Sequence, residues 1–261
     1  MLALIAALTI ATYSPPAAEG WTYRVRLTFD GDLPLLGGQR GKAEILLGLR
    51  AESTPASEAL AARIEPQAFE IRFNGKPLPL TLEDARPYLP PTTLRYSSSG
   101  RVLSNDAPEP NVPVRIPGLH PKRLPETVLL PIELPEGAID RGTRWTYQKP
   151  LGDAMAAFEA RAKSAKGDRL TINLRVEQES TAIEDEALQI VATETEAAAR
   201  ASTRLTGSGQ ATFDRSLGAV TSFFLKGSAV TAVQPLDGRA GTSRKLRFEY
   251  DVRLESKAKA R

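Results

Sequence analysis

The chain has 261 residues and no cysteine, and its 34 basic and 31 acidic side chains leave a formal net charge of +3. That excludes a disulfide framework, thiolate chemistry and a lipid anchor on an N-terminal cysteine. The two signs of charge are interspersed, so the dense basic patch that a nucleic-acid partner requires is missing.

Residues 1–18 come first. Leu2 to Ala11 is apolar and uncharged, too short to span a bilayer, and followed by small residues at Ala17 and Ala18. This suits a secretory signal cut after Ala18, with the protein then periplasmic or secreted and not lipid-anchored. Two features oppose that reading. The start has no Lys or Arg, and Pro16 would sit at the −3 position. The competing reading is a buried first strand. No other stretch is long and apolar enough for a transmembrane span.

Residues 19–105 read as a first β repeat. In "YRVRLTFD", Tyr23, Val25, Leu27 and Phe29 alternate with Arg24, Arg26, Thr28 and Asp30. Period-two alternation of this kind marks an antiparallel strand with one dry face. Further strands are predicted at 43–51, 69–73, 93–97 and 101–104. Ser53 or Thr54 with Pro55 predicts a short helix running to Ile64 and stopped by Pro66. Thr81 with Asp84 predicts a capping box and one or two helical turns.

Residues 106–142 form a Pro-rich connector. Eight of the chain's 20 prolines lie in 107–136. Proline lacks the amide donor, so this stretch cannot be a helix or a central strand. Leu129, Leu130, Ile132 and Leu134 predict an extended segment that lies on the protein.

Residues 143–256 read as a second β repeat, with a basic tail at 257–261. "LTINLRVE" (Leu170 to Glu177) and "KLRFEYDVRLE" (Lys245 to Glu255) alternate cleanly. Additional strands are predicted at 188–194, 210–214, 219–225 and 228–234. "DAMAAFEARAKSAK" has helical propensity, yet its place in the repeat favours a strand over 156–163 and a turn at Lys166-Gly167-Asp168.

Three landmarks support an internal duplication. Trp21-Thr22-Tyr23 matches Trp145-Thr146-Tyr147, and "LRAE" at Leu49 matches "LRVE" at Leu174. Tyr96, Gly100, Val102 and Ser104 match Phe213, Gly218, Val220 and Ser222. "GSGQATFDRSLGAVTSFFLKGS" is therefore read as a hairpin. Phe213 faces the core, Asp214 opens the turn, and Gly218 supplies a positive φ. The two halves run from Trp21 to Asn105 and from Trp145 to Glu255.

No residue is assigned a catalytic, cofactor-binding or metal-ligating role. "LLGGQRGK" has its glycines one residue too close for a phosphate loop, and Ala43 follows Lys42. "GSGQAT" lacks a third glycine. His120 is the single histidine and lies in the connector. Glu184, Asp185 and Glu186 read as a solvated turn.

The leader, the one-sided strands, the short helices and the repeated glycine-turn hairpins resemble the half-barrel lipoprotein-carrier superfamily of bacteria. They also resemble uncharacterised exported bacterial β-rich proteins with repeated Trp and Phe-Asp-x-x-x-Gly patterns, here Phe213, Asp214 and Gly218. The duplication departs from a single half-barrel, and no ligand residue carries over. The resemblance implies a mainly β protein: antiparallel, curved sheets from two duplicated halves, half-barrel or sandwich-like, with one or two short helices. It implies a non-enzymatic binding or carrier protein without cofactor, whose partner is a lipid or other apolar ligand, or an envelope protein. The alternatives are a protein-interaction module without a small ligand, and a hydrolase built on carboxylates.

Overall fold

The computed structural model describes residues 10–14, 20–33, 39–55, 59–110 and 115–258. Strands β1 (Gly20–Asp32), β2 (Arg40–Pro55), β3 (Leu60–Phe73), β4 (Lys76–Pro77), β5 (Thr92–Tyr96) and β6 (Val102–Asn105) come from the first half. The second half supplies β7 (Arg144–Leu151), β8 (Ala154–Lys166), β9 (Arg169–Glu184), β10 (Ala199–Asp214), β11 (Ala219–Pro235) and β12 (Thr242–Ala258). They form one 12-stranded sheet in the order β6-β5-β3-β2-β1-β12-β11-β10-β9-β8-β7, with the short β4 beside β3. All of the pairings are antiparallel.

The halves share one continuous core because the first strand pairs with the last. Val25 lies opposite Val252, Leu27 opposite Tyr250 and Phe29 opposite Phe248. The alternation explains this register. A slip of one residue would turn every apolar side chain of β1 to water. Val25, Leu27 and Phe29 are buried on the dry face, as are Leu170, Ile172, Leu174 and Val176 on β9.

The sheet is open and curved. Its path brings two distant strands to one segment of connector. Leu134 donates its amide to Ser99 O, in the turn between β5 and β6, at 2.8 Å. Trp145 Nε1, on the far edge strand β7, donates to Glu133 O at 2.8 Å. The apolar face is therefore concave, and the connector lies within it.

The duplicated landmarks fall on strands of different rank. Trp21 and Trp145 each lie on the first strand of a half. "LRAE" follows on the next strand, β2, whereas "LRVE" falls on β9, with β8 intervening. β8 confirms the strand over 156–163. Ala156, Phe158, Ala160 and Ala162 are all buried, a period-two burial that helical propensity alone would not produce.

Several expectations need correction. The helix from Ser53 to Ile64 is instead the end of β2 and the start of β3, paired from Ala43–Phe73 to Pro55–Leu60; residues 56–58 lie outside the described residues. Cross-strand pairing overrides the local capping signal. Residues 188–194 are not a strand. Leu188 has φ +63°, and only the isolated bridge between Glu184 and Ile190 remains. The predicted strands 219–225 and 228–234 are one strand, β11, running through Gly227. The connector does contain helix: a 3-10 turn at Pro121–Arg123 leads into α2 (Leu124–Leu129). Its prolines fall in the first turn of each element, where an amide has no helical partner to lose.

The capping box is as predicted. α1 (Leu82–Ala85) begins at Thr81, whose hydroxyl accepts from the Asp84 amide while Asp84 accepts from the Thr81 amide at 2.8 Å. Among the described residues no helix is long and apolar enough to cross a membrane.

Candidate ligand site on the concave apolar face

The concave face is lined by β1, β2, β3, β5 and β7–β12 and covered by the connector. Leu124, Val128, Leu129, Leu130, Ile132 and Leu134 of the connector are buried against it. An irregular segment in an apolar interior exposes carbonyls that need donors. Side chains supply them. Tyr250 OH donates to Gly118 O at 2.5 Å, Tyr13 OH to Ile132 O at 2.9 Å and Arg215 Nη2 to Ile139 O at 2.8 Å. Lys149 Nζ donates to Leu130 O, and Trp145 to Glu133 O as above.

Lys149 is the unusual member. It lies on the dry face of β7 and is 4% exposed. Burial pulls its pKa down from 10.5 to about 8, against the opposing pull of the Glu126 and Glu133 carboxylates. Glu126 is itself buried, accepting from Arg123 Nη1 at 2.7 Å and Asn105 Nδ2 at 2.6 Å.

A cluster of polar aromatics lies at one end of this face. Tyr13 is its hub. Burial raises the Tyr13 pKa well above the usual value, and the nearby Tyr147, Tyr23 and Tyr96 hydroxyls add to the effect. Burial likewise pushes Tyr96 up to about 12 and raises Tyr23 and Tyr147. These groups stay neutral at physiological pH. Trp21 Nε1 and the Tyr23 hydroxyl are buried without a hydrogen-bond partner among the described residues, whereas the buried Tyr96 and Tyr147 hydroxyls lie near Ser53 and the Glu133 carbonyl. The arrangement can therefore donate hydrogen bonds inside an apolar concavity.

The stretches weighed in the sequence are scattered. Gly207 to Gly209 lie inside β10, so "GSG" is not a loop. Gly207 and Gly227 face each other across β10 and β11, and a side chain on Gly227 would collide with the Phe248 ring. Asp214 opens the turn as expected, its Oδ1 accepting from Ser216 N at 3.0 Å and Leu217 N at 3.2 Å. Gly218 has φ +59°, as predicted. His120 Nε2 lies 3.2 Å from Glu109. Asp185 accepts turn amides and Glu186 is exposed, which fits a solvated turn. Glu184 departs from that reading, being buried in an ion pair with Arg244. Among the described residues no group of three or more His, Cys, Asp or Glu could hold a metal ion. Sequence reasoning missed the aromatic cluster and Lys149. The available signal was a dry-face alternation through Trp145, Tyr147 and Lys149.

No family model and no curated protein matches the chain. A solved structure of lipovitellin, described as showing lipid–protein interactions, is similar in fold, with a TM-score of 0.52 and 11% identity. The likeness covers 95% of this chain and 26% of that one, so the chain spans about a quarter of the length of the protein it resembles.

Proposed function

We propose that this protein is a non-enzymatic binding or carrier protein for an apolar ligand that bears a hydrogen-bond acceptor, as a lipid ester does. The observation that carries the reading is the pair of unpartnered buried donors on the concave face, Trp21 Nε1 and the Tyr23 hydroxyl. Each such group costs about 1–3 kcal/mol while unpaired. A ligand acceptor would recover part of that cost and fix the ligand's orientation. The fold likeness to lipovitellin supports the same class of ligand. In this reading the protein works outside the cytoplasm, periplasmic or secreted, and its ligand is a lipid or another apolar component of the envelope. The gap between the face and the connector, among Leu49, Ile64, Leu89 and Leu124, holds only about 10 Å³, so this reading requires the connector to yield part of the face to the ligand.

A second reading, a protein-interaction module without a small ligand, is favoured by the five side chains that tie the connector's carbonyls in place. Native mass spectrometry of protein purified from its own host's envelope fraction separates the two. The carrier reading expects one bound lipid mass, lost on organic extraction, regained on mixing and weakened by combined Trp21→Phe and Tyr23→Phe. An apo mass that no added lipid shifts, with a protein co-purifying, overturns it for the second reading.

A further inference from the structure

The two matched hairpin turns face each other across one short segment, Ala11 to Ser14. Each supplies the same pair of features, an aromatic ring and a positive-φ glycine. On one side Tyr96 packs edge-on to the Tyr13 ring at 6.4 Å, and Gly100 has φ +87°. On the other Phe213 packs edge-on to Tyr13 at 5.2 Å, and Gly218 has φ +59°. Both turns also offer a carbonyl. Tyr13 N donates to Ser98 O at 2.7 Å, and Ser14 N donates to Gly218 O at 3.0 Å. The Tyr13 hydroxyl reaches Ile132 O at 2.9 Å at the bottom of the slot.

Glycine is required in both turns for a second reason besides φ. A methyl group on Gly100 would overlap the Tyr13 ring, and one on Gly218 would lie 2.6 Å from Ser14 N. The turns are thus shaped around the segment, backbone and ring together. Ala11 and Tyr13 are each 2% exposed, so the contact is core packing.

We propose that the slot between these turns is a recognition site for an extended, tyrosine-bearing peptide segment, and that Ala11–Ser14 fills it in cis. Tyr13 then belongs to the folded protein and not to a removable leader, since a cut after Ala18 would empty the slot. The inference stands on packing and hydrogen bonds and needs no bound ligand, but it sets aside the cut after Ala18 that the sequence suggests.

Tyr13→Ala in the full chain tests it by thermal unfolding, with and without millimolar phenol, which matches the deleted ring and hydroxyl. Truncating a buried aromatic in a chain of this size lowers Tm by about 10 °C. Phenol is expected to restore part of that loss in the variant and to leave the wild type unmoved. A variant that melts within about 1 °C of wild type, or one that phenol does not stabilise, overturns the site. Should the alanine variant not fold, Tyr13→Phe keeps the ring and leaves Ile132 O unpaired. It is expected to lower Tm by about 3 °C, and no change overturns the seating of the hydroxyl. The intact mass of the protein from its own host decides the occupant. A mass that includes Tyr13 supports filling in cis, and one that begins after Ser14 overturns it.

Discussion

Lys149→Met isolates Lys149, the one cation fully buried among the described residues. In the folded protein Lys149 has its pKa drawn down from 10.5 to about 8 by burial. In the unfolded chain it titrates near the ordinary lysine value. Between about pH 8 and 10.5 the unfolded state therefore binds more protons than the folded state, so stability rises with pH across that window. Below about pH 8 the lysine is charged in both states and the penalty is fully present. Above 10.5 it is gone. The gap corresponds to about 3 kcal/mol, at about 1.4 kcal/mol per pKa unit. Methionine has similar volume and no charge, so it relieves this penalty but leaves Leu130 O without its donor, at about 1–3 kcal/mol. At pH 7 the two effects nearly cancel. The pH dependence is the informative quantity. Urea unfolding of wild type and variant from pH 7 to 10 should show the wild type gaining on the variant by up to about 1.4 kcal/mol per pH unit above pH 8. Buried tyrosines with raised pKa lower the stability of both proteins at the alkaline end, and the difference removes them. A difference that stays flat from pH 7 to 10 would refute the burial of the Lys149 ammonium group.

Two further perturbations test the packing. Gly137→Ala and Gly218→Ala both force a methyl group into positive φ, +87° and +59° respectively. Nothing lies within 4 Å of a methyl at Gly137, whereas Ser14 blocks one at Gly218. The first should cost about 1 kcal/mol in denaturant unfolding and the second at least twice that; equal losses would contradict the clasp around Ser14. Glu184→Gln strands Arg244 in a site where the pair is 6% and 18% exposed, and should cost about 3–5 kcal/mol. Adding Arg244→Met to that variant should recover part of the loss, and strict additivity of the two changes would show that the pair is hydrated.

The strands were legible because their cause is local. Tyr23, Val25, Leu27 and Phe29 alternate with charged or polar residues, and a pleated strand is the conformation that separates the two sets. Asp214 and Gly218 were legible for the same reason, since an Asx turn and a left-handed residue leave their mark on two nearby positions. The helix expected after Ser53 failed because a capping signal competes with thirteen paired positions between β2 and β3, and the long-range pairing prevails. The candidate site was not legible. Tyr13, Tyr96 and Tyr147 lie far apart in sequence and meet because the sheet curls. Single-strand alternation carries no information about that curl.

The connector shows how the sequence and the concave face depend on each other. Its prolines remove donors, so it cannot join the sheet as another strand. Its carbonyls remain, and in an apolar interior each unpaired one is costly. Tyr250, Lys149, Trp145, Arg215 and Tyr13 each spend a side-chain donor on one of them. Trp21 and Tyr23 carry the same kind of donor on the same face and have no hydrogen-bond partner among the described residues. Stability alone would favour phenylalanine in place of Tyr23. In the proposed carrier reading, these two polar tips are the groups that hold and orient the ligand on the concave face.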